Sequence, residues 1–224
     1  MSQNGALVAL AGHALGNVRD YSIVGLGSGR AAAILVRALG RLLKQNDYHV
    51  VAIPTSLQIK QAAEESDIPL VEADQVDHID VMFDGADQIN SEKFVIKGGG
   101  GALLRENILF GLAKKVIVMA DRTKFVKNFT SSVPVEIHPL ARVSAAARLE
   151  KLGSSIKLRT LARGYPFITE NGNIILDCDF GVITTPMPLT RKIKQIPGVI
   201  ESGIFSKKPD IIYKAMAGSK FEII

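Results

Sequence analysis

The chain has 224 residues, of which 47% are hydrophobic and 22% are charged, and its formal net charge is +5. This length and balance suit a large α/β domain that carries a smaller one, and they exclude a disordered chain. The basic residues are scattered rather than striped, which argues against a nucleic-acid partner. No run approaches 18 consecutive apolar residues, so we expect no membrane span.

Cysteine and histidine usage limits the possible metal and redox chemistry. The single cysteine, Cys178, cannot form an intramolecular disulfide, and the four histidines lie far apart in sequence. No Cys/His cluster therefore has metal-ligand spacing, and we expect no metal site and a reducing, cytoplasmic location. The apolar run at residues 6–15 is followed by Arg19 and Asp20 and has no Lys or Arg before it, which predicts an amphipathic first helix rather than a signal segment.

The first predicted strand runs directly into a glycine-rich loop. Residues 21–24 form a short apolar run with β-branched side chains, and residues 25–29 read Gly-Leu-Gly-Ser-Gly. Residues 31–43 then have a helical pattern. Backbone N–H groups and the Ser28 hydroxyl at a helix start can hold a phosphate, and Arg30 adds a fixed positive charge. An ordinary tight turn between a strand and a helix explains the same pattern.

The next strands end in polar loops. Residues 49–53 end without the acidic residue that dinucleotide-binding folds place there. Residues 78–83 form a buried-strand pattern that ends in Asp84-Gly85-Ala86-Asp87. Two carboxylates are thus expected at the carboxyl end of a strand, which is the edge where open parallel sheets bind ligands.

A second glycine-rich stretch follows. Residues 93–96 predict another strand, which delivers Lys97 and the four glycines at 98–101 to the same edge. Four glycines suggest close approach of the backbone to a ligand. Residues 115–120 predict a further strand, followed by Lys124, which either reaches this edge or is a solvated lysine.

Residues 102–114 suit a helix that begins directly after the glycines. At about 100° per residue, Glu106 shares an arc with Leu103 and Phe110, which is an apolar face. A carboxylate in such a place is partly desolvated, which favours a role as a base. The alternative is a glutamate that caps the loop or pairs with Lys97.

Past residue 128 the pattern changes to a β-α-β-β-α-β order, with elements at residues 133–137, 144–152 and 155–158, a hairpin of residues 167–169 and 174–176, and elements at 189–195 and 199–202. The predicted fold is therefore α/β, with a Rossmann-like parallel sheet flanked by helices and a smaller inserted α+β domain of the split-βαβ, ferredoxin-like type. Residues 1–130 and 203–224 would form the main catalytic domain, and residues 131–202 the insert.

These spaced motifs resemble the A-type ribose-5-phosphate isomerases over nearly the whole chain. The matching stretches are Gly25-Leu26-Gly27-Ser28-Gly29, Asp84-Gly85-Ala86-Asp87, Lys97-Gly98-Gly99-Gly100-Gly101 with Arg105-Glu106, Asn171-Gly172-Asn173, and residues 196–205. The resemblance implies interconversion of ribose 5-phosphate and ribulose 5-phosphate through ring opening and an enediolate. It also implies no metal or organic cofactor and a homodimer or homotetramer.

The resemblance assigns roles to particular residues. Glu106 would be the base that carries the proton, and Asp84 and Asp87 would handle the sugar hydroxyls and ring opening. Lys97 and the glycine N–H groups would stabilise the developing oxyanion. The implied substrate-binding residues are Gly27, Ser28, Gly29, Arg30, Ala31, Gly85, Ala86, Gly98, Gly99, Gly100 and Lys124.

Two departures from the family pattern bear on substrate preference. Gly29 is followed by Arg30-Ala31 where the family usually has Ser-Thr, and Gln88 stands where Glu is common. An arginine can bind phosphate in a bidentate manner, so phosphate binding is expected to persist. The alternatives are an isomerase of another pentose phosphate and a non-catalytic phosphosugar-binding effector domain.

Overall fold

The computed structural model describes residues 3–216 and 220–224, so residues 1–2 and 217–219 of the predicted main domain lie outside the described residues. The helices are α1 Gln3–Ala14, α2 Gly29–Asn46, α3 Leu57–Glu64, α4 Leu103–Leu112, α5 Arg142–Lys151 and α6 Pro186–Lys194. The strands are β1 Ile23–Leu26, β2 Val51–Pro54, β3 Ile79–Asp84, β4 Gln88–Ile89, β5 Val95–Ile96, β6 Ala113–Asp121, β7 Val133–Ile137, β8 Ser155–Leu158, β9 Ile174–Asp179, β10 Val199–Ser202, β11 Ile204–Phe205, β12 Ile211–Ala215 and β13 Phe221–Ile223. Among the described residues, none of the helices combines the length and apolarity that crossing a bilayer requires.

The chain divides into two compact units, of which the first comprises Met1–Ala86, Arg105–Lys124 and Pro209–Ile224. Its six-stranded sheet has the order β13-β12-β6-β3-β1-β2, with β13 antiparallel at the edge and the other strands parallel. Strands such as β3 are apolar along most of their length because a parallel sheet is covered on both faces. The prediction of an α/β fold with a parallel sheet flanked by helices is confirmed.

Helix α2 shows how the sequence pattern builds this first unit. Its buried positions include Ala32, Leu35, Val36 and Leu39, which recur at the three- and four-residue spacing of one helical face. They join the core cluster of the unit together with residues of β1 and β3. Asp47 directly follows the last residue of the helix, and its φ of 53° lies in the left-handed region that commonly terminates helices.

The second unit comprises Asp87–Leu104 and Phe125–Lys208. Its four-stranded antiparallel sheet has the order β10-β7-β9-β8, which is the arrangement expected of a β-α-β-β-α-β segment with α5 and α6 as its helices. A separate hydrophobic cluster forms the core of this unit and includes Phe129, Val135 and Leu176. The second unit is larger than the predicted insert of residues 131–202, because it spans Phe125–Lys208 and also includes the earlier segment Asp87–Leu104.

The expectation that residues 93–96 join the main parallel sheet is wrong. Only Val95–Ile96 form a strand, β5, and it pairs antiparallel with β4 and β11 in a separate three-stranded sheet. The reason is non-local, since β11 is formed by Ile204–Phe205, just past the end of the predicted insert. Helix α4 is also shorter than predicted, because Ala113 and Lys114 already belong to β6.

The thiol of Cys178 lies in the core of the second unit. Its burial raises the pKa of the thiol to about 12. We expect the native protein to resist a thiol-specific disulfide reagent at pH 8, because the thiolate is the reactive form, and the denatured protein to react with one equivalent. Rapid labelling of native protein would contradict this expectation. Since the unfolded thiol ionises at lower pH than the native one, this group also makes unfolding easier as pH rises between the two pKa values.

Candidate active site

The carboxyl ends of β1 and β3 place Gly27 against Asp84 in the first unit. The two strands are parallel neighbours, and the Gly27 N–H donates to the Phe83 carbonyl at 2.8 Å. A Cβ at position 27 would lie 2.1 Å from both Cγ and Oδ1 of Asp84. A glycine is therefore required here because the fully buried Asp84 carboxylate occupies the space of a side chain.

The Asp84 carboxylate is oriented by backbone donors. Its Oδ1 accepts the N–H of Gly85 at 2.7 Å and that of Ser28 at 3.3 Å. Ser28 stands at the start of α2, yet its hydroxyl does not cap that helix. The Ser28 hydroxyl is thus available to a second carboxylate.

That second carboxylate is Glu106, in the first turn of α4. The Ser28 hydroxyl donates to Glu106 Oε1 at 2.5 Å, and Glu106 is only 2% exposed. The negative charge is favoured near the start of a helix, where the macrodipole is positive. The first unit therefore brings Ser28, Asp84 and Glu106 together, and it buries Glu106 as the helical pattern predicts.

Charged side chains occupy the loop that follows β6 in the first unit. Lys124 is exposed and ends the 3₁₀ helix Arg122–Lys124. A hydrogen bond from the Thr123 N–H holds the pKa of the Asp121 carboxyl below its usual range, and the Arg122 and Arg30 charges lower it further. Arg30 is itself exposed and lies at the second position of α2, within electrostatic reach of Asp121.

The second unit holds Asp87 and the glycine loop, by which we mean residues 98–101. Gly99 donates its N–H to Asp87 Oδ2 at 2.8 Å, and a Cβ at Gly99 would lie 2.7 Å from Asp87 Oδ1. Gly98 and Gly101 have φ values of 99° and 89°, which L side chains rarely adopt. Their N–H and carbonyl groups close the loop, since Gly101 N–H donates to Gly98 O at 3.0 Å.

Lys97 precedes the glycine loop and is 3% exposed. Its backbone N–H donates to the Gly203 carbonyl at 2.9 Å, and a Cβ at Gly203 would lie 2.5 Å from the Lys97 carbonyl. The backbone of Lys97 is therefore fixed by a residue that lies more than a hundred positions later in the chain. Another distant side chain that sequence reasoning missed, Arg159, donates to the carbonyls of Gly98 and Gly99. No local signal marks it, because a lone arginine after a strand is ordinary.

Gln88, one of the departures from the family pattern, forms hydrogen bonds with two other residues of the second unit. Its Oε1 accepts the N–H groups of Thr130 and Ser131 at 2.9 and 3.1 Å, and its Nε2 donates to Thr130 Oγ1 at 3.0 Å. A glutamate could accept both N–H groups but could not donate to the threonine oxygen. The amide is thus used in holding residues 130–131.

The part of the chain that the structure describes contains no group of three or more His, Cys, Asp or Glu side chains able to hold a metal ion.

Known proteins resemble this chain along most of its length. Residues 51–219 match the family model described as ribose 5-phosphate isomerase A (phosphoriboisomerase A). Ribose-5-phosphate isomerase A of Haloquadratum walsbyi is 40% identical over 195 residues, which cover 87% of this chain and 82% of the relative. The protein of the same name from Methanosarcina acetivorans is 39% identical over 193 residues, covering 86% and 82%.

Solved structures of proteins with this name also superpose on the whole chain. Ribose 5-phosphate isomerase A from Methanocaldococcus jannaschii superposes with a TM-score of 0.94 at 34% identity, covering 100% of this chain and 99% of the other. A D-ribose-5-phosphate isomerase in complex with phospho-erythronic acid superposes with a TM-score of 0.95 at 35% identity, with the same coverage.

Proposed function

The chain belongs to the ribose 5-phosphate isomerase A family, and we propose that Glu106 is the base with which it interconverts D-ribose 5-phosphate and D-ribulose 5-phosphate. The isomerisation moves a proton between C2 and C1 through an enediolate. It therefore needs one carboxylate that takes the proton from the first carbon and returns it to the second. The observation that carries this assignment is the buried Glu106 carboxylate, held in one orientation by the Ser28 hydroxyl.

Ring opening precedes proton transfer and is assigned to the two aspartates. Asp84 is fixed by two backbone N–H groups, so its carboxylate is preorganised to accept a proton from a sugar hydroxyl. Asp87, which accepts the Gly99 N–H, is assigned to the sugar hydroxyls and to ring opening as well. Asp84 is the last residue of β3, and Asp87 follows it three positions later.

Stabilisation of the enediolate oxygen is assigned to Lys97 and the N–H groups of the glycine loop. An ammonium group and fixed backbone donors that face a developing negative charge lower the barrier because they need no reorganisation during the reaction. A structural neighbour 35% identical to this chain is in complex with phospho-erythronic acid, which supports a phosphosugar site in this chain. The carboxylate of phospho-erythronic acid has the planar shape and negative charge of an enediolate.

The phosphate group is assigned to the start of α2 and to Lys124. Gly29, Arg30 and Ala31 supply N–H groups at the helix start, where the macrodipole favours an anion. Of the remaining substrate-binding assignments, Gly85 and Ala86 lie directly after the buried Asp84, and Gly27 and Ser28 lie directly before α2.

Arg30 provides a direct test of the phosphate assignment. We expect Arg30→Ala to raise KM for ribose 5-phosphate by roughly ten- to a hundred-fold, because a charge-assisted contact to the phosphate is lost. The effect should shrink at high salt, since Arg30 is exposed. Arg37→Ala removes the same charge from an exposed position of the same helix and should leave KM unchanged. An unchanged KM for Arg30→Ala would mean that Arg30 serves only Asp121 or solvent.

The activity itself is tested by incubating purified, chelator-treated protein with ribose 5-phosphate and measuring ribulose 5-phosphate. Parallel assays with the 5-phosphates of arabinose and xylose test the alternative that another pentose phosphate is preferred. Binding of ribose 5-phosphate without turnover would instead favour the effector-domain alternative. Loss of turnover on chelation, restored by added metal, would contradict the expectation that the reaction needs no metal.

We further propose that the chain acts as a cytoplasmic homodimer or homotetramer without nucleic-acid partners. The family resemblance supports the assembly, and Leu140 and Val143, which are 91% and 70% exposed, offer apolar surface for it. Light scattering at micromolar concentration measures the mass of the particle. A monomeric mass with full activity would contradict this proposal.

A further inference from the structure

The guanidinium of Arg159 lies against the carbonyl side of the glycine loop, and all of these groups belong to the second unit. Its Nη1 donates to Gly98 O at 2.6 Å and to Gly99 O at 3.1 Å. On the N–H side, Asp87 accepts from Gly99 at 2.8 Å. The loop thus forms hydrogen bonds on both sides with side chains of opposite charge.

Arg159 is itself held rigidly. Its Nε and Nη2 donate to the two carboxylate oxygens of Asp177 at 3.0 and 2.5 Å, and the two side chains are only 15% and 24% exposed. The ring of Phe167 lies 5.9 Å from the guanidinium carbon, and a Cβ at Gly101 would lie 2.4 Å from that ring. Backbone hydrogen bonds join Arg159 to Ile175 and Phe167 at 2.9 Å each. A bidentate ion pair between a residue that follows β8 and a residue of β9 keeps the donors in one place with little entropic cost.

The position of Arg159 decides where the N–H groups of the loop point. In a trans peptide the C=O and the following N–H point in opposite directions. The Gly98 carbonyl faces Arg159, and the N–H of the same peptide, that of Gly99, faces Asp87. The Gly99 carbonyl also faces Arg159, so the Gly100 N–H points away from it. Among the described residues, no hydrogen bond uses the Gly100 N–H as donor, which leaves it available to a ligand oxygen.

We propose that Arg159 is a positioning residue for the isomerisation: it holds the Gly98 and Gly99 carbonyls so that the Gly100 N–H donates to the enediolate oxygen. This inference rests on the proposed function of the glycine loop as the oxyanion site. Arg159 is assigned an action through the loop and no contact with the substrate. Its charge also polarises the peptides whose carbonyls it binds, which strengthens the donors on their other side. Asp177 serves the same end by fixing Arg159.

The consequence is a selective effect on the transition state. Arg159→Met keeps an unbranched side chain but removes the guanidinium and every side-chain donor, so the loop loses its carbonyl anchor. A misplacement of about 1 Å in a catalytic group can cost about a hundred-fold in rate, so we expect kcat to fall roughly 10- to 100-fold with KM changed less than about three-fold. Arg159→Lys keeps the charge but donates from one point and should give an intermediate kcat.

Two ligands separate positioning from general damage to the fold. Phospho-erythronic acid carries a carboxylate that mimics the enediolate, whereas ribitol 5-phosphate carries the phosphate and hydroxyls without an anionic oxygen at that end. Calorimetric titration of Arg159→Met should show affinity for phospho-erythronic acid reduced by about the factor lost in kcat, with affinity for ribitol 5-phosphate changed less than about three-fold. Arg148→Met, an exposed arginine on α5, is the matched control and should change neither affinity nor kcat.

Binding titrations need no turnover, so this test stands apart from the test of the proposed function. If wild-type protein does not isomerise ribose 5-phosphate, the function fails, yet a selective loss of phospho-erythronic acid binding in Arg159→Met would still uphold the role of Arg159 in orienting the loop. Equal weakening of both ligands, or wild-type kcat in a folded Arg159→Met variant, would overturn the inference. Should Arg159→Met fail to fold, Arg159→Lys and Asp177→Asn carry the same comparison.

Discussion

Glu106→Gln should lower kcat by at least about 10²- to 10⁴-fold, the range that one positioned base contributes to a proton transfer. The substitution keeps the shape of the side chain and its ability to accept the Ser28 hydroxyl at Oε1, but it removes the basicity. KM should change little, because the lost interaction belongs to the chemical step. Steady-state assays with ribose 5-phosphate measure both constants, and Glu64→Gln, at an exposed position that ends α3, is the matched control.

Isotope exchange gives an independent view of the same step. A carboxylic acid formed at Glu106 can lose its proton to solvent before returning it, so wild-type enzyme in deuterated water should incorporate some deuterium into the product. A hydride shift would carry the hydrogen across without exchange. Complete direct transfer would count against the enediolate, and near-normal kcat in Glu106→Gln would move the base to Asp84 or Asp87.

Gly27→Ala is expected to reduce kcat/KM by about a hundred-fold or more. The new Cβ would stand 2.1 Å from Asp84 Cγ, so the carboxylate or the loop must move by more than about 1 Å, a displacement that costs about that factor when a catalytic group is involved. Overpacking a buried site of this kind also costs stability, typically about 1–3 kcal/mol. Thermal unfolding and steady-state kinetics of the same preparation separate the two effects.

Gly12→Ala is the matched control for this substitution. Gly12 lies in α1 with nothing within 4 Å of an added Cβ, so alanine should be tolerated without loss of activity. Replacing a glycine inside a helix should even stabilise the protein by roughly 0.5–1 kcal/mol. Wild-type kcat/KM in Gly27→Ala would show that Asp84 can shift without consequence, and the assignment of Asp84 to ring opening would then be withdrawn.

Some site features could be predicted from local sequence because their cause is local. The helical period alone places Glu106 beside Leu103 and Phe110, and the structure buries all three. Position 27 is different. Its glycine was predicted as part of a phosphate loop, whereas the structure ties it to Asp84, which lies on a neighbouring strand. Only the pairing of β1 with β3 reveals that reason.

By itself, the sequence determined the periodic elements, the burial of Glu106 and the ordered motifs that assign the family, because each depends on residues close together in the chain. The tertiary structure decided the pairing of β5 with β11, the division into units and the hydrogen bonds of Arg159 to the glycine loop. The pairing of β5 with β11 joins residues about a hundred positions apart, and the hydrogen bond from Arg159 to Gly98 spans 61 positions. Short strands such as β5 acquire their partners from packing rather than from intrinsic preference. A single arginine carries no periodicity, so its partners become visible only when the chain has folded.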